Sequence, residues 1–212
     1  MSALFRAFRM AAVMMVAAMG LVSCAEDTVE SDPYANWEKR NVEFIDSIAS
    51  VAANPPEGEI WEAYLRYDIS FEEKPEDLLD PYTPENKDYV YVKYVSEEDI
   101  PADGEQFIMY NDTVSAAYQG FLINGTRFDG NYSGTFDPEV NDNFTKFGVS
   151  EVITGWTVAL LHMKPEAKGA AEVYIPYELG YGTTGSGSSI PGYSALKFEM
   201  YVDEVIKPQL QE

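Results

Sequence analysis

From Asp88 onward the hydrophobic pattern repeats every second residue, and this alternation narrows the possible folds more than any other feature of the chain. In ALKFEMYVDEVI (Ala195–Ile206), Leu196, Phe198, Met200 and Val202 share one face, while Lys197, Glu199 and Asp203 share the other. Successive side chains of a strand point to opposite sides, so this is a strand with one apolar face. DYVYVKYVS (Asp88–Ser96), DTVSAAYQGFLI (Asp112–Ile123) and AAEVYIP (Ala170–Pro176) read the same way. Together they predict an antiparallel sheet with a dry face and a wet one. The dry face must be covered. The internal candidate is VITGWTVALLHM (Val152–Met163), a run too short to cross a membrane. Its Trp156, Ala159, Leu160 and Met163 form an i, i+3, i+4, i+7 stripe, which predicts a short helix lying across the sheet. The fold class expected is α+β.

Upstream the period is helical. Asp32-Pro33 reads as an N-cap followed by proline at the first helical position. Trp37, Phe44, Ile45, Ile48 and Ala52 then fall near helical spacing to about Ala53, and Asn54-Pro55-Pro56 stops the helix. Residues 57–87 are acidic and proline-rich, with only WEAYLRYDIS (Trp61–Ser70) reading as a strand. AEDTVESD (Ala25–Asp32) is a solvated acidic tether.

The first residues read as an export signal. MSALFRAFR is a short basic region, and Met10–Val22 is an apolar run of signal-peptide length. It ends in Leu21-Val22-Ser23-Cys24, which resembles the lipobox of bacterial lipoproteins, in which the cysteine is lipidated and becomes the new N-terminus. Lipidation at Cys24 implies a membrane partner, reached through acyl chains. Ala25 after the cysteine resembles lipoproteins sorted to an outer membrane, and Glu26-Asp27 resembles the acidic tag of surface lipoproteins in Bacteroidetes-like bacteria. The expected location is the outer membrane, on its periplasmic face or at the cell surface. Cys24 is the only cysteine, so no disulfide forms within the chain. Loss of Arg6 and Arg9 with the signal leaves 12 basic residues against 36 acidic ones, a net charge of −24. Such a surface repels phosphate backbones and argues against nucleic acid as a partner. The organisation expected is a signal peptide at 1–23, an acidic tether at 24–32, a helical and extended region at 33–87, and the sheet domain at 88–212.

Four segments, AAYQGFLINGTRFDG (Ala116–Gly130), EVITGWTVALLHM (Glu151–Met163), VYIPYELGYG (Val173–Gly182) and IPGYSALKFEM (Ile190–Met200), stand in an order and spacing that resemble the FKBP-type peptidyl-prolyl cis-trans isomerases. The resemblance spans about Tyr89–Lys207. It implies an FKBP-like half-barrel, a curved antiparallel sheet wrapped around a short helix, here preceded by an N-terminal helix. It also implies an apolar cup for a proline ring. By this resemblance Tyr118 is the tyrosine of a YxG strand, Phe128-Asp129 an FD pair, and Val152, Ile153 and Trp156 the V-I-x-G-W group, with the indole as the floor. Tyr181 belongs to the YG turn, and Ile190 and Phe198 close the remaining wall. The Ile153 N–H and the Tyr181 hydroxyl would donate to substrate, and Asp129 would be oriented toward Tyr118.

The resemblance implies proline-containing polypeptides as substrates and macrolide immunophilin ligands as competitors. Either Phe144 or Phe147 could supply the aromatic side chain of the strand before Val152, and the enlarged loop Gly130–Phe147 is expected to border the cup. Glu166 stands where the family has a glycine, which puts that turn's geometry in question. His162 reads as a surface or internally satisfied residue. The acidic loop Asp137–Asn143 lacks the central glycine and terminal glutamate of an EF-hand. No phosphate loop, metal cluster or nucleophile–base pair appears in the sequence, so no cofactor is expected. Two functional classes follow: an isomerase assisting folding of exported proteins, or a non-catalytic module that binds prolyl segments as a chaperone or adaptor.

Overall fold

Seven strands in the computed structural model, which describes residues 32–70 and 83–209, form one sheet in which every pairing is antiparallel. The expectations for residues 1–31, including the signal segment and lipidation of Cys24, lie outside the described residues. So does the part of the proline-rich stretch between 71 and 82. In chain order the elements are α1 (Trp37–Ala53), β1 (Ile60–Leu65), the single turn α2 (Tyr67–Ser70), β2 (Tyr89–Tyr94), β3 (Thr113–Leu122), β4 (Arg127–Gly130), β5 (Thr145–Gly148), α3 (Thr154–Leu160), β6 (Ala171–Ile175) and β7 (Leu196–Ile206). The strand order is β1-β2-β6-β7-β3-β4, with β5 also pairing with β3.

All four strands anticipated from the alternation form. Strand β7 sits between β6 and β3 and pairs with β3 from Thr113↔Ile206 to Leu122↔Leu196, with one bulge between Ser115 and Ala116. Its Leu196, Phe198, Met200 and Val202 are each 3% exposed or less. They share the main core with Val90, Val92, Val173, Ile175 and the α3 residues Trp156, Val158, Ala159 and Leu160. Helix α3 therefore covers the dry face. It approaches closely at Gly155, where an added Cβ would lie 2.3 Å from the Ile175 side chain.

The opposite face is wet only in its middle. There Lys93, Glu172, Lys197 and Glu199 stand side by side across three strands, with Lys197 Nζ 2.6 Å from Glu172 Oε1. On one side of this stripe α1 packs on the sheet: Ile45 joins Tyr91, Tyr174 and Ala195 in a second apolar cluster. On the other side Tyr132, Phe136 and Phe144, all from the β4–β5 loop region, pack with Ala117 and Tyr201 in a third. The expectation of one open face is corrected accordingly: outward tyrosines recruit covers of their own.

Three further differences concern local chemistry. The helix does not start at Asp32-Pro33. Residues 33–36 form turns, Asn36 takes a left-handed φ of 52°, and the Arg40 side chain donates to the Pro33 and Ala35 carbonyls. The strand expected at Trp61–Ser70 ends at Leu65; Arg66 N donates to Asp88 O, and Tyr67–Ser70 turns as a short helix. Strand β1 extends the sheet through β2, and α1 packs on it, so these two elements belong to the same compact unit as the other strands. The turn at Glu166 forms without its glycine: Glu166 adopts φ 54° and its N–H donates to Val202 O at 2.8 Å.

Candidate active site

Where α3 meets the concave face, the sheet leaves an open cavity of about 330 Å³. Several elements contribute to its lining. Tyr118 comes from β3, Phe128 and Asp129 from β4, Phe147 from β5, and Glu151, Val152 and Ile153 from the approach to α3. Trp156 lies in the first turn of α3, Tyr181 follows β6, and Phe198 is on β7.

Trp156 is the floor. Its ring centroid lies 5.0 Å from Tyr118, 5.1 Å from Phe147 and 5.2 Å from Phe198, all edge-to-face. Phe128 in turn meets Phe198 edge-to-face at 5.5 Å. Such T-shaped pairs satisfy the ring quadrupoles and fix ring orientation. The glycine of the YxG strand now has a physical reason. A Cβ on Gly120 would stand 2.7 Å from both the Phe128 and the Phe198 ring, so only glycine lets these walls close. The Trp156 indole N–H is buried without an oxygen or nitrogen acceptor.

Polar groups stand only at the rim. Tyr118 Oη donates to Asp129 Oδ2 at 2.9 Å, and Gly130 N donates to Asp129 Oδ1 at 2.8 Å. Burial pushes the Tyr118 hydroxyl well above the ordinary tyrosine range, and its bond to the Asp129 carboxylate pushes it further. Burial raises the Tyr181 hydroxyl too, again helped by the Asp129 charge. Both hydroxyls are thus neutral donors at neutral pH. Asn131, immediately beyond, ties the strands together: its Oδ1 accepts from Tyr118 N, and its Nδ2 donates to Ala116 O.

The cavity brings together eight of the nine residues anticipated for the cup: Tyr118, Phe128, Asp129, Val152, Ile153, Trp156, Tyr181 and Phe198. Ile190 is not among its lining residues. It is 6% exposed and belongs to the main core that also holds Trp156 and Phe198, with its backbone paired to Ser186. The open choice between Phe144 and Phe147 resolves to Phe147, since Phe144 lies on the far face beside Tyr201. Glu151 at the rim was not anticipated. The enlarged loop does not border the cup except through Phe147; its aromatics are drawn to the far face. His162 is satisfied internally, with Nδ1 2.8 Å from Val158 O and its ring stacked on Tyr64 at 3.9 Å. Loop 137–143 folds on itself through Asp137 and Asn141, and among the described residues no group of three or more His, Cys, Asp or Glu is placed to hold a metal ion.

Comparison with known proteins agrees with this geometry. The family model for FKBP-type peptidyl-prolyl cis-trans isomerases matches residues 104–203. The chain is 38% identical over 97 residues to the peptidyl-prolyl cis-trans isomerase Mip of Coxiella burnetii, covering 46% of this chain and 38% of that protein. It is 34% identical over 102 residues to FK506-binding protein 1A of Emericella nidulans, covering 47% of this chain and 86% of the relative. The chain thus spans less than half the length of the bacterial relative and most of the fungal one. A crystal structure of a peptidyl-prolyl cis-trans isomerase from Pseudomonas syringae pv. tomato shares the fold, with a TM-score of 0.52 at 21% identity over 83% of this chain and 98% of that one.

Proposed function

This chain belongs to the FKBP-type peptidyl-prolyl cis-trans isomerase family, and from that membership we propose that it catalyses rotation about Xaa-Pro bonds in polypeptides. The observation that carries the reading is the cup itself: an aromatic floor and walls, with neutral hydroxyl donors confined to the rim.

The chemistry required is modest. An X-Pro bond has partial double-bond character, with a barrier of about 18–20 kcal/mol, and relaxes in tens to hundreds of seconds. No covalent intermediate is needed. A proline ring seated on Trp156 between Phe128 and Phe198 strips water from the preceding amide, which disfavours the charge-separated resonance form that stiffens it. The Ile153 N–H and the Tyr181 hydroxyl then donate to substrate carbonyls. Asp129 holds the Tyr118 hydroxyl in place through the 2.9 Å bond. Binding the twisted bond better than either planar isomer lowers the barrier. Shortening a relaxation from ~100 s to ~1 ms requires about 7 kcal/mol.

A protease-coupled assay on a Xaa-Pro tetrapeptide, using chain that starts at Ala25, tests the proposal. Catalysed isomerisation that a macrolide immunophilin ligand competes away is the expected result. Peptide binding without acceleration would instead support a prolyl-segment-binding chaperone or adaptor.

The same proposal places the protein at a bacterial outer membrane, anchored by lipid on Cys24, where it would assist the folding of exported proteins. Support comes from the basic, apolar and LVSC sequence of residues 1–24 and the acidic stretch after it. Wild type is expected in the membrane fraction and Cys24→Ala in the soluble fraction or as precursor. Wild type found wholly soluble would defeat the anchor.

A further inference from the structure

Helix α1 is fastened by buried polar groups to Ser194 and Ala195, which follow the loop that carries Tyr181. Asn41 is 0% exposed and Ser194 2%. Asn41 Oδ1 accepts from Ala195 N at 2.8 Å, and its Nδ2 donates to Trp37 O at 2.7 Å. Trp37 Nε1 donates to Ser194 Oγ at 2.9 Å, and that hydroxyl donates onward to Pro191 O at 2.6 Å. A buried polar group costs stability unless it is bonded. Here each satisfies another across more than 150 positions of sequence. The apolar seat of Ile45 on Tyr91 and Tyr174 would hold α1 on the sheet without them. The polar bonds add register, fixing the helix against one particular loop.

That loop, residues 181–193, carries Tyr181 at one base, while Ser194 and Ala195 follow its other base. Between the bases Tyr193 N donates to Gly182 O at 3.0 Å, and Gly185 N donates to Tyr181 O at 3.2 Å. The two sides touch so closely that a Cβ on Gly192 would lie 2.0 Å from Thr183 O, and one on Gly185 2.1 Å from Ile190 O. Tyr193 itself holds a left-handed φ of 61°. A residue other than glycine stays in that conformation only where its surroundings over-determine it. These contacts tie the two bases of the loop to each other, so Ser194 and Tyr181 stand at the two ends of one closely bonded loop.

We propose that Trp37 and Asn41 are positioning residues of the cup, which set the Tyr181 hydroxyl by pinning Ser194 and Ala195 at the base of its loop. The proposal rests on the isomerase reading above.

A double-mutant cycle in the full chain tests it. Asn41→Ala and Ser194→Ala are each made in wild type and in a Tyr181→Phe background, and KM and kcat are measured on one Xaa-Pro peptide. In wild type each is expected to raise KM about five- to tenfold with kcat changed less than about twofold, and to do almost nothing further once the Tyr181 hydroxyl is gone, as coupled residues behave. Equal fractional losses in both backgrounds would show plain destabilisation and overturn the proposal. So would unchanged KM in an active chain. If Asn41→Ala does not fold, Trp37→Phe, which removes the donor and keeps an aromatic ring, takes its place and is read the same way. An inactive wild type would overturn the isomerase reading, which is a different failure from an active enzyme indifferent to Asn41.

Discussion

Phe128 and Gly120 make opposite contributions to one wall, a ring and the absence of a side chain, and both are open to test. Phe128→Ala is expected to cut kcat/KM at least tenfold (about 1.4 kcal/mol) while leaving a cooperative fold, because the ring is only partly buried and lines the cavity proposed for the proline ring. An unaltered rate would remove Phe128 from the cup. Gly120→Ala is expected to lower activity comparably by a different route, since its Cβ would push into Phe128 and Phe198. Competition by a macrolide ligand, measured by calorimetry, should weaken in parallel. The Tyr118 and Tyr181 hydroxyls are both raised above the ordinary tyrosine value of ~10. The rate is therefore expected to stay flat from about pH 6 to about 9, where both remain protonated. A steep bell-shaped profile in that window would instead indicate general acid–base chemistry. Most of these residues were legible in the sequence because their motifs bind side-chain type to position. Ile190 lies in the core and not in the cavity lining, because a motif gives proximity to the cup but not how deeply a side chain is buried. Phe144 and Phe147 remained a choice because the strand there, Thr145–Gly148, is too short for its alternation to declare its faces or its bounds.

Short elements were the ones sequence could not see. Strands β4 and β5 are four residues each, and their pairing with β3 depends on partners far along the chain. The outer seat of α1 was hidden for another reason: tyrosine is at home both in cores and at surfaces, so Tyr91 and Tyr174 did not announce a buried face. Two substitutions test the packing of elements. Gly155→Ala should destabilise by about 1–3 kcal/mol, because α3 would have to retreat from Ile175. A thermal midpoint equal to wild type would show that the helix has slack. Glu166→Gly acts in the other direction. The left-handed φ of 54° is costly for glutamate and free for glycine, and the glycine's extra unfolded-state entropy offsets part of the gain. The expected net stabilisation is about 0.5–1 kcal/mol, measured by denaturant unfolding.

Taken whole, the protein is acidic and rich in tyrosine, and its tyrosines govern how it responds to alkali. Burial pushes Tyr64 and Tyr91 up to about 12, and raises Tyr94, Tyr118, Tyr132 and Tyr174 further. In the unfolded chain all of them release their protons near ~10. Above that pH the unfolded state holds fewer protons than the native state, so this stabilisation is complete below about pH 10 and drains away as pH rises toward 12. Urea midpoints at pH 8, 10 and 11 should fall progressively; a constant midpoint would contradict the burial of these hydroxyls. The sheet order carries one more consequence. Strand β7 lies between β6 and β3, accepts the longest pairing in the sheet, and comes after every other described strand. A growing chain emerging from the ribosome therefore has β3 and β6 in hand with nothing to join them. Only when Leu196–Ile206 arrives can the two halves of the sheet zip together. Contacts that close across such long stretches of chain form slowly, so the sheet stays open until Leu196–Ile206 has been made.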